Sequence, residues 1–516
     1  MKLLLRSILP IVTCFASLAS AQSERALQVE REGQTIPDQK NGYYQNPIFP
    51  GNYGDPSIVL VGEDYYAAFS RGNGIMVWRS RDLVNWEPII RHRLPEGFNR
   101  VWAIDIQHFD GKFHVYMPIG EYPGKTGTTF ANFVISAENP EGPWSEPINL
   151  DIVPADHYYN GIDPGFIQTP EGEKFLYVHH GWAVRLNDDG TKAVTEPELV
   201  YEGWDYPEEW PVECHCLESP KLFLKDDYYY MVSAMGGTSG PSTAHMSVVA
   251  RAPHPLGPWE NSPYNPLHHT YSHDEPFWHQ GHGTVFEDKN GDWWTIYHAR
   301  LNSYTEMGRP TLLMPVEWTE DGWPVQKSVY VSNSLIPIPE GENVGHGLPL
   351  SDSFESTEIG MQWSFGSAKS DLIKPGGGKL ILTASGEDFN SATQIHADAP
   401  NKSFEISVKL NGATEDTPSG IRLGSNGIAF DGTKLFYTEG PGWRTRRPVF
   451  TFDYTDSIWL KMRNLRKDIT FYYSPDGTSW IKFPHGARQH SSYRYTLFAR
   501  GSGEVSFQHF EYKGLE

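Results

Sequence analysis

Only three cysteines occur in the 516 residues. Cys14 belongs to an apolar N-terminal stretch, which leaves Cys214 and Cys216 for the rest of the chain. A bridge across one intervening residue is strained. These two are therefore expected as partly buried thiols, with a redox bridge or a metal site shared with His215 as the sharper alternatives. No disulfide framework can carry this fold, so it must rest on core packing. Positive charge is also scarce: 42 Lys and Arg stand against 64 Asp and Glu, for a net charge of −22. A nucleic-acid backbone needs clustered cations, which excludes a nucleic-acid partner. Beyond the N-terminus no apolar run is long enough to span a membrane. What the chain has in plenty is Gly (49), Pro (39) and aromatics (17 Trp, 27 Tyr, 26 Phe). Aromatic strands broken by frequent turns predict an all-β chain, and the aromatic content argues against disorder.

The first residues read as a secretory signal. Lys2 and Arg6 give a positive start, Leu3 to Leu18 is largely apolar, and Ala19-Ser20-Ala21 supplies small residues for cleavage. Residues 1–21 are thus predicted to be removed, leaving a secreted chain, periplasmic or extracellular, that starts near Gln22.

A repeat organises residues 45–329, after an N-terminal segment over 22–44. A polar residue leads a short apolar strand, a Gly/Asp turn follows, and an aromatic strand returns. The lead residues are Asp55, Asp105, Asp163, Glu218 and His282. Their return strands include Tyr65-Tyr66, Phe113-His114, Phe175-Leu176, Tyr228-Tyr229-Tyr230 and Trp293-Trp294. Turn chemistry and β-rich composition make each unit a hairpin. A second marker agrees: Pro140-x-Gly142-Pro143-Trp144 returns as Pro255-x-Gly257-Pro258-Trp259. Short-strand units recurring at this spacing predict the blades of a five-bladed β-propeller. In a propeller the innermost strands line a central channel, so the five lead residues are expected to converge there. Carboxylates gathered at one focus repel and shift each other's pKa, an arrangement suited to binding a cation or to acid–base work.

Two carboxylates flanking one bond are the general solution to glycoside hydrolysis: one donates a proton to the leaving oxygen, the other activates water or attacks the sugar. A third acid nearby can hold the first one's pKa up. Asp55, Asp163 and Glu218 supply such a set, and Trp102 offers an aromatic floor for a sugar ring. The motifs around them are Gly54-Asp55-Pro56-Ser57-Ile58, Ser80-Arg81-Asp82-Leu83-Val84-Asn85-Trp86, Trp102-Ala103-Ile104-Asp105-Ile106, Gly161-Ile162-Asp163-Pro164, Leu217-Glu218-Ser219-Pro220, Gly281-His282-Gly283, Gly308-Arg309 and Asp321-Gly322-Trp323-Pro324. In number, order and spacing these closely resemble glycoside hydrolase family 43, whose catalytic domain is a five-bladed β-propeller.

The resemblance implies roles by position. Asp55 corresponds to the general base, Asp163 to the residue that tunes and orients the acid, and Glu218 to the general acid of an inverting reaction. Trp102, Asp105 and Arg309 are the implied substrate-binding residues; for Arg309 an ion pair with Glu317 or Glu320 is the plain alternative. His282 matches a histidine associated with a structural ion such as calcium, which imidazole would hold through water; the chemistry itself requires no cofactor. The implied substrate is an oligo- or polysaccharide that loses a terminal β-D-xylosyl or α-L-arabinofuranosyl unit. A hexose-directed exo-glycosidase and a non-catalytic carbohydrate-binding propeller are the alternatives. Two departures stand out: Gly54 and Ile104 occupy positions where many members have Pro.

His268, His269, His273 and His279 precede His282 in a Gly/Pro/Ser-containing stretch. It is expected as a loop over the pocket mouth, with a zinc site at His269 and His273 as the alternative. The stretch 200–216 is expected at the same rim. Residues 330–350 read as a linker. From 351 to 516, alternating strands such as Lys379–Thr383 and Phe404–Val408 predict an antiparallel β-sandwich. It resembles the concanavalin-like module of many family members and is expected to brace the propeller more than to bind sugar. Oligomeric state is not legible.

Overall fold

A computed structural model of the chain describes residues 24–515 apart from 153–160, 441–443, 446–449, 452 and 454. The predicted signal segment 1–21 lies outside the described residues. The fold is all-β: a five-bladed propeller followed by a two-sheet sandwich. Each blade is an antiparallel sheet that runs outward from its first strand. The first strands are Ser57–Val61, Asp105–Phe109, Gly165–Gln168, Glu218–Lys225 and Phe277–Glu287. They touch in a closed ring, each meeting the first strand of the next blade and the fifth meeting the first.

Alternation on the second strands explains why the blades adhere. Side chains of a strand point to opposite faces in turn. Tyr65 packs toward Trp294 and Tyr297 of the fifth blade, while Tyr66 packs toward Phe113 and Val115 of the second. The same device repeats around the ring, with Tyr116 meeting Phe166, Phe175 meeting Met231, and Tyr230 meeting Val285. The core is thus a set of interblade layers, and the aromatic return strands are its material. Fully burying one such side chain is worth about 1.5–3 kcal/mol.

The ends of the propeller are clamped by its flanks. Tyr43–Gln45 pairs antiparallel with Leu335–Pro337. Asn46 both donates to and accepts from the Leu313 backbone in the fifth blade. The stretch 330–350 is therefore more than a linker: part of it is a strand held by the segment that precedes the first blade.

The sandwich consists of two seven-stranded sheets. Phe404, Ile406, Leu460, Phe471, Ile421, Leu497 and Trp363 fill the space between them. Alternation along Phe404–Asn411 and Ser457–Leu465, buried at every second position, is why the two layers close on each other. This core reaches into the propeller. Met307, in the turn after Trp293–Leu301, is buried in the sandwich cluster. Beside it Glu306 pairs with Lys467 at 2.9 Å and its carbonyl accepts from Tyr493 N–H. The sandwich thereby holds the turn that ends at Arg309.

Candidate active site

Asp55, Asp163, Glu218, His282, Arg309 and Trp102 line one cavity of about 360 Å³ at the mouth of the propeller axis. Local backbone geometry aims them there. Asp55, Asp163 and His282 adopt left-handed φ values of 58°, 54° and 52°, and Ser219 beside Glu218 adopts 52°. Non-glycine residues occupy this region rarely, and such strain clusters at functional sites. Glu218 also opens a strand whose ladder slips between Glu218 and Lys221, and such a bulge re-aims a side chain. The close approach of blades three and four depends on a glycine: a Cβ at Gly165 would overlap the carbonyl of Pro220.

The three carboxyls are electrostatically unlike. Burial would raise the pKa of Asp55, but the Arg309 guanidinium, then His282 and His298, hold it well below the ordinary carboxylate range. Arg309 grips Asp55 with two parallel bonds of 2.6 Å, Nη1 to Oδ1 and Nη2 to Oδ2. His298 Nδ1 lies 3.1 Å and His282 Nδ1 3.3 Å from Oδ1. The second lone pair on Oδ2 is left for a water. Burial and the Asp55 charge push Asp163 up to about 7. Burial, then Asp163 and Asp55, push Glu218 up to about 8. Asp163 and Glu218 titrate as one coupled pair that holds a proton at neutral pH. Environment has thus driven one carboxyl to be an anion and another to be an acid, the signature of paired acid–base roles.

Gly54 explains one departure noted in the sequence. A Cβ at this position would lie 2.6 Å from Arg309 Nε, so glycine here leaves room for the Arg309 side chain beside Asp55. On the opposite wall Trp102 is 45% exposed. Its ring packs against Phe130 at 4.4 Å, with the Arg100 guanidinium over Phe130.

Asp105 requires a correction. It does not line this cavity and is 2% exposed. Lys221 Nζ donates to its Oδ1 at 2.8 Å and also to the carbonyls of Ile104 and Pro164. Ser57 Oγ, Gln107 Nε2 and the Phe166 amide donate to its two oxygens as well. Asp105 therefore fastens four blades from inside the axis and has no oxygen to offer a sugar. In the folded blades Asp105 opens its strand and corresponds to Ser57, two residues beyond the position of Asp55, so it falls among Ser57, Phe166 and Lys221 and not in the cavity.

The histidine-rich stretch also differs from expectation. His268–His269 and Phe277–Glu287 are strands. His268 is buried against Thr295 and Gln326, His269 stacks on Trp210 at 4.2 Å, and His273 bonds Ser242. Among the described residues the groups that could hold a metal are Asp55–His282–His298 and Asp163–Glu218–His282, neither containing His269 or His273. In the 200–216 stretch, Glu213 N–H donates to Gly236 O and its carboxylate accepts from Ser239. This ties the stretch to the strand end that presents Thr238 to the cavity. Cys214 and Cys216 are joined in a disulfide, with Cα atoms 5.2 Å apart. Cys214 is exposed and Cys216 half-buried. The expected free thiols are thus replaced by a bridge, because the turn brings the two Cα atoms into the range a disulfide spans.

Sequence reasoning missed His298, His245 and Arg300. His298 stands opposite Gly281 on the neighbouring strand, and the spacing of His298 and Arg300 by two residues was the available signal for a shared face. The Nε2 atoms of His245, His282 and His298 are buried without a hydrogen-bond partner. Calcium prefers six to eight oxygen ligands. The oxygens near His282 are those of the three carboxylates, so an ion here would be held through water on His282 Nε2.

Comparison with known proteins matches this geometry. A non-reducing end alpha-L-arabinofuranosidase of Bacteroides ovatus is 30% identical over 345 residues, covering 62% of this chain and 61% of that protein. A xylan 1,3-beta-xylosidase of a Vibrio species is 31% identical over 349 residues, covering 59% and 60%. The chain thus spans about three fifths of the length of these curated relatives. The crystal structure of the GH43 BlXynB protein from Bacillus licheniformis superimposes with a TM-score of 0.77 at 26% identity, covering 92% of this chain and 100% of that one. The family model described as Glycosyl hydrolases family 43 matches residues 44–324, the span of the five blades and the cavity they enclose, and the chain belongs to that family.

Proposed function

We propose that this protein is a secreted, inverting exo-glycosidase that releases a terminal pentose, β-D-xylosyl or α-L-arabinofuranosyl, from an oligo- or polysaccharide. One observation carries the reading: across a single cavity, Asp55 is held as an anion while Glu218 is kept protonated. The names of the arabinofuranosidase and xylosidase relatives support the pentose.

In this mechanism Asp55 accepts a proton from a water on one face of the sugar, and that water attacks the anomeric carbon. Glu218 donates its proton to the departing glycosidic oxygen on the other side. Asp163 orients Glu218, and its nearby charge keeps Glu218 protonated until the departing oxygen takes the proton. Arg309 keeps Asp55 ionised and orients it, while its half-exposed edge meets the sugar. Trp102 supplies an apolar face for the ring. A hydrated calcium ion on His282 belongs to the same proposal, where it would supply positive charge at the axis and take no part in the proton transfers. If so, a chelator lowers the melting temperature and added calcium restores it.

A panel of nitrophenyl glycosides tests the function. Turnover of xyloside or arabinofuranoside, with the inverted sugar formed first by NMR, is the expected result. Turnover of hexosides alone would replace the pentose reading, and no turnover on any sugar would favour a binding module. A first-formed sugar of retained configuration would refute the water-activating role of Asp55.

A further inference from the structure

The proton transfers leave one side chain at Asp55 without a role. His298 is fully buried and does not line the cavity. It nonetheless reaches the base from the middle of the strand Trp293–Leu301. The Asp55 backbone N–H donates to His298 Nδ1 at 3.2 Å, across 243 residues of chain. The carboxylate Oδ1 of Asp55 lies 3.1 Å from the same nitrogen. The backbone bond uses the Nδ1 lone pair and so places the ring proton on Nε2. Nε2 is buried with no partner among the described residues. Asp55 is thus the one hydrogen-bond partner of the His298 ring among those residues.

The ring has little freedom to turn away. His245 stacks on it with centroids 5.3 Å apart and planes 11° from parallel, and His282 packs on it at 5.3 Å and 29°. His245 is itself fixed, since its Nδ1 donates to the His279 carbonyl at 3.1 Å. Gly281, directly opposite His298 on the neighbouring strand, makes room for it: a Cβ there would lie 2.6 Å from His245 Nδ1. A ring locked by packing can hold a functional group to within a fraction of an ångström. Asp55 needs such a hold. Its φ of 58° is left-handed, a conformation an L residue keeps only where its surroundings impose it. The direction of its carboxylate follows from that backbone. Arg309 grips the carboxylate from the cavity, and His298 grips the main chain from inside the blade.

We propose that His298 is a positioning residue for the base: its Nδ1 keeps Asp55 in the left-handed conformation that aims the carboxylate at the attacking water. The inference rests on the reading of Asp55 as the water-activating base and holds whichever sugar is released. His298 meets no substrate, so its loss acts on kcat and leaves KM nearly unchanged.

Steady-state kinetics of His298→Asn and His298→Gln test it, on the nitrophenyl glycoside that the wild type hydrolyses best. Asn carries its amide where Nδ1 stands and can accept from the Asp55 N–H; Gln carries its amide where Nε2 stands and cannot. His298→Gln should lower kcat about 10²-fold, the cost of misplacing a reacting group by about an ångström, with KM within about threefold of the wild type. His298→Asn should keep kcat within about tenfold of the wild type. Equal losses in the two folded variants, or a loss that falls on KM, overturn the inference and leave the glycosidase reading standing. A wild type that turns over no glycoside removes both. If thermal melting shows that neither variant folds, a crystal structure of the wild type decides. Asp55 in the left-handed region with its N–H on His298 Nδ1 sustains the inference, and a separation beyond about 3.5 Å overturns it.

Discussion

Two levels of the propeller axis hold carboxylates and use them differently. At the mouth, Asp55, Asp163 and Glu218 face one cavity, and two of them are pushed toward holding a proton at neutral pH. Further along the first strands, Asp105 meets Lys221 and receives a donor for each of its lone-pair directions of consequence. The mouth stores electrostatic tension that chemistry can release, and the interior stores none. What separates them is a two-residue step along the first strand, Asp105 corresponding to Ser57 and not to Asp55, and with that step the supply of donors. A buried carboxylate that is fully bonded is structural; one left against other carboxylates is available for proton transfer.

The contrast predicts opposite mutational signatures. Asp55→Asn and Glu218→Gln should each lower kcat/KM by about 10²–10⁴-fold, Glu218→Gln with a melting temperature equal to or slightly above that of the wild type and Asp55→Asn with a modestly lower one, because it gives up the ion pair with Arg309. Unfolding of either variant would erase the distinction drawn here. Asp105→Ala should do the reverse. It leaves the Lys221 ammonium buried and unpaired, at a cost of about 3–5 kcal/mol, measurable by denaturant unfolding. A double variant, Asp105→Leu with Lys221→Met, should recover much of that loss.

The pH dependence sharpens the comparison. Activity should fall on the alkaline side as the Asp163–Glu218 pair loses its proton near 7 to 8. The acid limb should lie well below the ordinary aspartate value of 3.8, where Asp55 becomes protonated. Stability follows the same groups. The folded chain holds the protons of Asp163 and Glu218 more tightly than the unfolded chain, so their contribution declines from about pH 4 to about pH 8. Asp55 has the opposite sign: its contribution is present above 3.8 and is lost as pH falls. Glu218→Gln should flatten the alkaline fall in melting temperature, and an unchanged slope would speak against the coupling.

A smaller effect is expected at Gly54. Gly54→Ala displaces Arg309 from Asp55, and misplacement on that scale costs about tenfold to a hundredfold in kcat/KM. Lys467→Ala, at the contact that braces the Arg309 turn from the sandwich, should be the mildest. A partly exposed pair is worth about 1 kcal/mol or less, and thermal melting with initial rates would register it.

Much of this was legible before any coordinates. Alternation and turn residues announced the blades because side-chain direction along a strand has period two. The lead residues stood out because a repeat makes register visible. Arg309 could be named but not its partner, since Asp55 lies 254 residues away. His298 and Arg300 sit on a second strand, where the aromatic run reads as plain core material. The disulfide between Cys214 and Cys216 depended on turn geometry that composition does not encode.

The sequence by itself determined an all-β chain, its repeat, and the set of acids from which a site could be drawn, because those follow from local periodicity and residue type. Only the tertiary structure decided which acids became reactive. That choice depends on burial and on partners brought from distant blades, Arg309 against Asp55 and Lys221 against Asp105. Electrostatic energy in a low-dielectric interior depends on distances of a few ångströms, and those distances are set by how the ring of blades closes.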